Sequence, residues 1–286
     1  MIVDYRRPTA TDVADMAEVA AAAQADPRFH VPYVGADADS IAAEMTGVAG
    51  WADTTTVAVV DGRVVGWLLG ETDPAMGRVW WWGPFVADES WDGIADELYR
   101  RTRPRLPAAI GEEEACGDAR STSIEAWSRR HGLAPAEASV LLRRQRGPAA
   151  PDGRVRPLTP ADHGAVMALH ERAFPATHLT PSALVAAGDP RLVIEVDGVV
   201  VGYVAYEIQA DGSGYLDYLA VDEGVRGRGL GGTLVEHACH LLFEGGVTHA
   251  HLTVREGNGP ARSLYRRLGF VEDRLARPYR RGFHIP

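Results

Sequence analysis

The sequence predicts a mixed α/β protein made of two tandem halves, each a mixed, mostly antiparallel sheet flanked by helices. Two observations predict this fold class. Short β-prone runs alternate with helical patterns along the chain. In addition, three groups of residues recur in the same order in both halves, as internal repeats do. The recurring groups are Arg7–Asp12 with Arg156–Asp162, Val59–Trp67 with Glu195–Tyr203, and Ser128–Leu133 with Tyr265–Phe270.

A linker separates the two halves. The segment Gln145–Gly153 is rich in proline, glycine and alanine and shows no apolar periodicity, which is typical of a connecting loop. The sequence therefore predicts one domain at residues 1–146 and a second domain at residues 154–286.

Composition narrows the function classes. The 286 residues are 46% hydrophobic and 24% charged, which is ordinary for a soluble protein with room for about two domains. The net charge of −10 argues against general nucleic-acid binding. No apolar run approaches the length of a membrane span, and two cysteines are too few for a disulfide framework. We expect a cytoplasmic protein, a monomer or homodimer, without nucleic-acid or membrane partners.

In the first half, the hairpin signal is an Asp-Gly pair between two β-prone runs. Three consecutive tryptophans follow on the next strand, and we interpret them as core and surface residues that alternate across a sheet. The elements predicted in this half are a strand at Ile2–Tyr5, a helix at Asp12–Gln24 with Thr11 as its N-cap, a second helix ending near Met45, a hairpin at Thr56–Glu71 and a strand at Arg78–Val86.

The second half repeats this order and then continues. A second Asp-Gly hairpin precedes a β-prone run, and a long amphipathic helix follows that run. The elements predicted here are a strand at Val155–Leu158, a helix ending near Phe174, a short helix at Ser182–Ala187, strands at Leu192–Val196, Val199–Glu207 and Tyr215–Val221, a long helix from about Leu230, a strand at Ala250–Val254, and a short helix from Asn258.

A glycine-rich loop connects the strand Tyr215–Val221 to the long helix. Glycines allow close backbone approach, and a helix N-terminus offers unpaired N–H groups and a favourable dipole for an anion. Residues Gly227–Gly232 also satisfy the dinucleotide fingerprint G-x-G-x-x-G, but five residues separate Val221 from the first of these glycines, and too little chain follows for a doubly wound domain. We interpret the loop as a pyrophosphate site of another kind.

The same loop reads Arg-x-x-Gly-x-Gly from Arg226 to Gly231, and further on the chain reads Asn-x-x-Ala-x-x-x-Tyr-x-x-x-Gly-Phe from Asn258 to Phe270. Together these strings closely resemble the acyl-CoA-binding signature of the GNAT N-acetyltransferase superfamily, over about residues 154–275. The tandem layout is similar to that of mycothiol synthases. The resemblance implies acetyl-CoA as cosubstrate, no metal, and a GNAT-like fold in each half.

The resemblance also implies roles for single residues. Tyr265 matches the general acid that protonates the departing thiolate, and it needs either a lowered pKa or a role as hydrogen-bond donor to the thiolate. Asn258 looks like the side chain that bonds the pantetheine arm. The residues that the resemblance assigns to acetyl-CoA are Leu219, Ala220, Val221, Arg226, Gly227, Arg228, Gly229, Leu230, Gly231, Gly232, Thr233, Asn258 and Ala261.

The resemblance does not assign the general base to one residue directly. Two positions that carry glutamate in some members of the family are Thr253 and Tyr215 here. Asp217 lies two residues after Tyr215 and, without a bulge, on the same face of the strand, so it is our candidate base, with Glu207 as the second. The resemblance places the acceptor site beside the loop after the first helix of the second half, where Phe174, Thr177 and His178 are candidate substrate contacts.

The first half lacks the corresponding loop. Ala87–Asp96 contains no arginine and four acidic residues, so phosphate would be repelled there, and Ser128 occupies the position of Tyr265. We therefore expect a degenerate first domain without an acyl-CoA loop.

The most economical function is acetyl-CoA-dependent transfer of an acetyl group to a primary amine of a small molecule by direct attack. Alternatives are an acetyltransferase for peptide N-termini or drugs, and a non-catalytic acyl-CoA sensor. His237 and His240 are interpreted as solvated helix residues rather than metal ligands, and His249 and His251 carry no stronger signal.

Overall fold

The computed structural model describes residues 2–87, 91–149, 151–175, 177, 179–186, 190–209 and 211–282. The chain divides into two compact units. The first unit contains residues 1–139 and 275–286, and the second contains residues 140–274.

The first unit has a mixed sheet with helices. Its strands run in the order β1-β2-β3-β4-β5, followed by the last part of β13, and only the β4–β5 pair is parallel. Its elements are β1 (Asp4–Arg6), α1 (Val13–Gln24), α2 (Ala38–Gly47), β2 (Thr55–Val60), β3 (Arg63–Asp73), β4 (Arg78–Val86), α3 (Trp91–Thr102), β5 (Glu112–Asp118), α4 (Thr122–Arg130), β6 (Ala134–Pro135) and β13 (Val271–Arg281).

The second unit has the same plan. Its strands run in the order β7-β12-β11-β10-β9-β8, with β11 and β12 parallel and β8 to β11 antiparallel. Its elements are β7 (Ser139–Gln145), β8 (Val155–Pro157), α5 (His163–Ala173), α6 (Pro181–Ala186), β9 (Arg191–Val196), β10 (Val199–Ile208), β11 (Gly214–Val221), α7 (Leu230–Glu244), β12 (His249–Arg255) and α8 (Gly259–Arg267).

The two units do not follow the boundaries expected from the linker. Residues from Leu275 onward fall in the first unit, because Ala276–Arg281 pairs antiparallel with Glu113–Asp118 of β5. Residues 140–146 fall in the second unit, because β7 lies next to β12 in the sheet. Each unit is thus completed by a strand from beyond the predicted boundary.

The first helix of each unit begins with the same capping motif. In the first unit the Asp12 carboxylate accepts hydrogen bonds from the Thr9 N–H (2.6 Å) and hydroxyl (2.7 Å), and Arg6 pairs with it at 2.7 and 2.8 Å. Thr9 is the N-cap of the 3-10 turn Ala10–Asp12 and Asp12 that of α1, so the predicted cap Thr11 was wrong. The cap moves because a one-turn 3-10 helix, Ala10–Asp12, precedes α1. Such caps typically contribute about 1 kcal/mol to stability.

The second unit repeats that motif with Thr159, Asp162 and Arg156. The Asp162 carboxylate accepts from the Thr159 N–H (2.8 Å) and hydroxyl (2.7 Å), and Arg156 pairs with it at 2.7 and 2.8 Å. In both units the arginine holds the pKa of the carboxyl well below its usual value. The motif therefore anchors strand to helix in both halves of the chain.

A core on one face of the second sheet packs α5 and α6 against β9 to β11. Val166, Leu184 and Tyr203 are fully buried there. In the first unit the tryptophans of β4 alternate as expected, since Trp81 is buried whereas Trp80 and Trp82 are half-buried.

Candidate functional site

The loop after β11 adopts backbone conformations that favour glycine. Gly227 and Gly229 have φ angles of +80° and +81°, in the left-handed region that other residues rarely adopt. Gly229 is the N-cap of α7, which begins at Leu230 as predicted. Two of the loop glycines are thus required by the turn itself.

The backbone N–H groups at the end of the loop and at the start of α7 are not used in hydrogen bonds within the described residues. Among the described residues, none accepts a hydrogen bond from the N–H groups of residues 227–232, and the first helical bond runs from the Thr233 N–H to the Gly229 carbonyl at 3.1 Å. The N-terminal N–H groups and dipole of a helix form a natural anion site. The geometry therefore suits a phosphate group.

Gly231 needs a different explanation, because its backbone is not left-handed. A Cβ at this position would meet Leu264, Val221 and Leu219 only at 3.6–3.8 Å, which is ordinary contact. The protein itself therefore does not require glycine here, whereas a ligand approaching the helix N-terminus would meet that added carbon. A backbone without a side chain at this position is compatible with the close approach of a pyrophosphate.

Two arginines accompany the loop. The Arg226 side chain donates from Nε to the Val221 carbonyl at 3.2 Å and pairs with Glu223 at 3.0 Å, while its side chain remains 58% exposed. Arg228 is exposed. Because both guanidinium groups lie at the surface next to the N–H cradle, they can reorient toward a phosphate.

The strands β11 and β12 separate beside this loop. Their parallel register joins Gly214–Leu216 to Ala250–Leu252 and goes no further in the described residues. The Asp222 N–H donates to the Val201 carbonyl of β10 at 2.8 Å. Since backbone groups alternate along a strand, those of Leu219 and Val221 point away from β10, into the opening. Ala220, between them, bonds toward β10 and is buried.

An extended ligand could pair with such a strand edge as an added strand does. The opening, the cradle of N–H groups and Gly231 lie along one continuous stretch of chain, from Leu219 to Gly232. The residues present therefore fit the pantetheine arm and the pyrophosphate of acetyl-CoA.

Tyr265 is buried on α8, with only 9% of its surface exposed. Its ring meets Phe270 edge to face at 5.7 Å. Burial raises the pKa of Tyr265 to about 12. The lowered pKa that the sequence left open is therefore wrong, and the neutral phenol is suited to donating a hydrogen bond to a developing thiolate.

Asn258 caps α8. Its side-chain oxygen accepts from the Ala261 N–H at 3.2 Å, and Asn258 itself is exposed. Its side-chain NH₂ group is still available to a ligand. Asn258 therefore starts the helix that carries Tyr265.

Asp217 lies at a β-bulge in β11. Ala205 pairs with Tyr218 and Tyr206 with Leu216, so Asp217 is the extra residue between them. Burial is the main cause of the raised pKa of the Tyr215 and Tyr218 hydroxyls. The negative charge of Asp217 raises both pKa values further, so its carboxylate stays close to these tyrosines despite the bulge. The structure thus brings Asp217 and Tyr215 together, and the Tyr215 hydroxyl hydrogen-bonds Thr253.

Glu207 lies directly opposite Tyr215 on β10. It is half-buried, and Gln209 approaches its carboxylate at 3.5 Å. Glu207 and Asp217 therefore lie on neighbouring strands, both near Tyr215.

The loop after α5 reaches this bulge. Phe174 meets Tyr218 edge to face at 5.0 Å, and the hydroxyls of Thr177 and Tyr218 are 2.6 Å apart. His178 lies outside the described residues. Sequence reasoning missed Tyr218 as the residue that joins the loop to the strand, although its position directly after Asp217 could have indicated it.

A cavity of about 160 Å³ lies beside β12 and is lined in part by His249 and His251. His251 bonds Gln209 at 2.9 Å and Ser213 at 3.2 Å, and its ring lies 5.1 Å from that of Tyr215. Burial lowers the pKa of both histidines there, which favours neutral imidazoles. The lining residues are Leu141, Leu142, Arg143, His249, His251 and Asp273.

His237, interpreted as solvated, accepts a hydrogen bond at Nδ1 from the Asp152 N–H (3.2 Å). In the part of the chain that the structure describes, no three His, Cys, Asp or Glu side chains converge as a metal site requires. None of the helices in the described ranges combines the length and apolarity needed to cross a bilayer.

Comparison with known proteins gives consistent results. Residues 164–270 match the model of the acetyltransferase (GNAT) family. Mycothiol acetyltransferase of Beutenbergia cavernae is 34% identical over 187 residues, covering 58% of this chain and 61% of that relative. The chain spans about three fifths or less of the length of the curated relatives it matches.

Solved structures share the fold over nearly the whole chain. A GCN5-related N-acetyltransferase from Sphaerobacter thermophilus superposes with a TM-score of 0.73 at 20% identity, covering 98% of this chain and 95% of that one. A tandem GNAT protein from the clavulanic acid biosynthesis pathway superposes with a TM-score of 0.67 at 17% identity over the full length of both. The chain has the tandem GNAT fold, and residues 164–270 in its second unit match the GNAT acetyltransferase family.

Proposed function

We propose that the second unit transfers an acetyl group from acetyl-CoA to a primary amine of a small molecule, and that the first unit does not bind acetyl-CoA. The observation that carries this proposal is the site from Leu219 to Gly232, where an open strand edge leads into a cradle of N–H groups. The match of residues 164–270 to the GNAT acetyltransferase family supports acetyl transfer, and the presence of both Tyr265 and Asp217 supports catalysis over passive sensing.

Acetyl-CoA supplies an acetyl group activated as a thioester. We propose that Leu219 and Val221 pair with its pantetheine arm and that the N–H groups of residues 227–232 hold its pyrophosphate, with Arg226 and Arg228 adding positive charge. The Val221 region would also polarise the thioester carbonyl.

The reaction then needs two proton transfers. The amine nitrogen forms a bond to the carbonyl carbon, the bond from that carbon to sulfur breaks, and the sulfur leaves with its electron pair. Asp217, directly or through water, takes the proton that the amine loses. Tyr265 hydrogen-bonds the departing sulfur and donates its proton to it. Water then supplies a new proton to the resulting phenolate. Because the pKa of Tyr265 is raised, its hydrogen bond stabilises the developing thiolate before the phenol proton is fully transferred.

The acceptor would enter beside the loop after α5. Phe174 contributes an aromatic wall next to Tyr218, and Glu207 and Asp217 contribute negative charge that favours a cationic amine. His178 is retained as a proposed contact on sequence grounds. The similarity to a mycothiol acetyltransferase supports a small-molecule acceptor, and the shorter matches to N-alpha-acetyltransferases are the reason for including N-terminal peptides in the test.

The test is calorimetric titration of the full chain with acetyl-CoA, followed by a panel of small amines and N-terminal peptides with detection of released thiol. We expect one binding site per chain and thiol release with a small amine. Absence of binding heat would overturn the cofactor assignment. Binding without turnover on any acceptor would favour a sensor, and turnover with peptides alone would replace the acceptor class.

A further inference from the structure

A buried hydrogen-bonded pair, His170 and Tyr203, lies beneath the loop after α5. Both side chains are fully buried. The His170 Nδ1 and the Tyr203 hydroxyl are 2.6 Å apart, and Nε2 lies 2.9 Å from the Leu179 carbonyl. A carbonyl only accepts, so Nε2 carries the proton and, in the neutral ring, Nδ1 accepts from the Tyr203 hydroxyl. Every polar atom of this imidazole is therefore committed.

Leu179 is held from two sides. Its carbonyl accepts from His170, and its backbone also hydrogen-bonds the Tyr218 hydroxyl. That hydroxyl lies 2.6 Å from the hydroxyl of Thr177 as well. Tyr218 directly follows Asp217 at the bulge. An unbroken set of hydrogen bonds thus runs from Tyr203 in the core to the strand residue next to the proposed base.

The first unit achieves the same packing without this pair. Because the capping motifs align Asp12 with Asp162, Ala20 occupies the position of His170, and the hairpin echo aligns Trp67 with Tyr203. Ala20 and Trp67 are both fully buried, and the Trp67 indole donates to the Met16 carbonyl at 2.7 Å. A small residue and a large ring therefore fill this place where the chain carries no acyl-CoA loop.

We infer that His170 and Tyr203 are positioning residues that fix the described loop residues Thr177 and Leu179 against Tyr218, and so set the wall of the acceptor site beside Asp217. This inference rests on the proposed function, since it assigns the loop to the acceptor. A buried polar network costs stability unless it is fully satisfied, and the first unit shows that the fold does not need one here. We therefore attribute the network to its role in holding Thr177 and Leu179 against Tyr218.

The first unit supplies the decisive variant. His170→Ala combined with Tyr203→Trp installs a pair that this fold already packs. We expect the KM for the best amine of the panel to rise about tenfold, with kcat lowered less and acetyl-CoA affinity unchanged, because the acceptor wall alone is loosened. His170→Gln retains an N–H that can reach the Leu179 carbonyl, so we expect it to keep a KM near that of the wild-type protein.

Hydrogen exchange of the Leu179 amide gives a readout without any acceptor. We expect exchange to become at least about tenfold faster in the double variant and to stay near the wild-type rate in His170→Gln. Unchanged exchange and unchanged KM in the double variant would overturn the inference. If no amine is accepted by the wild-type protein, the proposed function fails, whereas faster exchange at Leu179 would still establish the positioning. If the double variant does not fold, Tyr203→Phe is measured in the same two assays, where no change would again overturn it.

Discussion

The two units share a fold and differ at the residues that would do chemistry. Strands β4 and β11 can be aligned from both ends. At one end the Ala87 N–H donates to the Val65 carbonyl as the Asp222 N–H donates to that of Val201. At the other end the parallel pairing to the next strand stops at Trp81 in one unit and at Leu216 in the other. The two strands therefore correspond residue by residue.

This alignment places Pro84 where the second unit has Leu219. Proline lacks the backbone N–H that Leu219 would offer to a ligand at the open strand edge. The same alignment places Trp80 and Trp82 at the positions of Tyr215 and Asp217. The first unit thus keeps the separation of its strands but has lost both the donor and the carboxylate.

The short helices α4 and α8, which follow β5 and β12, correspond in the same way. Ser121 caps α4 by accepting from the Ile124 N–H, as Asn258 caps α8. Ser128 then falls at the position of Tyr265. It is fully buried, and among the described residues its hydroxyl has no hydrogen-bond partner. The first unit retains the cap and the helix but lacks the phenol. The residues that form this helix are therefore different from the residue proposed to act in catalysis.

The largest difference between the two units is expected when the hydroxyl of Tyr265 is removed. We expect Tyr265→Phe to lower turnover roughly 10²–10⁴-fold with acetyl-CoA affinity nearly unchanged, because the variant loses only the donor to the sulfur. Steady-state kinetics and calorimetry measure this. Since the pKa of Tyr265 is raised to about 12, the phenol stays protonated at lower pH, and the wild-type rate should not fall on its account below about pH 11.

The matched control is Ser128→Ala in the first unit. We expect turnover within about twofold of the wild-type value, because Ser128 contacts no substrate in the proposed mechanism. Near-normal turnover in Tyr265→Phe, or equal losses in the two variants, would contradict the division of roles.

The next largest effect on turnover is expected for Asp217→Asn. We expect turnover to fall roughly 10²-fold and the acid side of the pH–rate profile to change, because the amide cannot take a proton from the amine. The control is Glu71→Gln in the first unit, where Glu71 accepts from the Trp82 indole at 2.9 Å, and we expect little change in rate. An unmoved profile in Asp217→Asn would transfer the role to Glu207.

A smaller effect is expected at the anion cradle. Gly231→Ala should weaken acetyl-CoA binding about tenfold, corresponding to about 1.4 kcal/mol, while the thermal midpoint stays the same, because the added carbon makes only ordinary contacts within the protein. Gly93→Ala in α3, where the new carbon would meet open space, should leave binding unchanged. Equal affinities for the two variants would argue against pyrophosphate at Gly231.

The smallest difference between the units is expected at their shared cap. Asp12→Asn and Asp162→Asn should each lower the free energy of unfolding of the unit concerned by about 1–2 kcal/mol at neutral pH. Both carboxyl pKa values are lowered on folding, so this stabilisation is present above the unfolded pKa of about 4 and is lost as the pH falls through the folded value. Thermal unfolding at pH 7 and pH 3 tests this, and a loss confined to one unit would break the equivalence.

Local patterns predicted much of the fold. The Asp-Gly hairpins, the start of α7 at Leu230 and the strand Arg78–Val86 were confirmed, because each depends on turn chemistry, a glycine cap or a continuous β-prone run within a few residues. Site positions inside a motif, such as Tyr265 and Gly231, could likewise be named in advance, although their roles remain predictions.

Features formed by distant residues could not be read from the sequence. The bulge at Asp217 depends on its register with β10, and the contact between His170 and Tyr203 joins a helix to a strand 33 positions away. The raised pKa of Tyr265 follows from burial, which a motif does not contain. The pairing of β13 with β5 is the furthest of these, and no local signal at Ala276 points to its partner Asp118.

That last pairing has a consequence for synthesis. One edge of β5 is covered by residues 276–281, which are translated only after the whole second unit. Until then the nascent chain presents an unpaired strand edge, a ready template for pairing with another chain. A ribosome stalled before residue 275 would therefore hold an aggregation-prone intermediate, because the strand that covers this edge of β5 is translated much later than β5 itself.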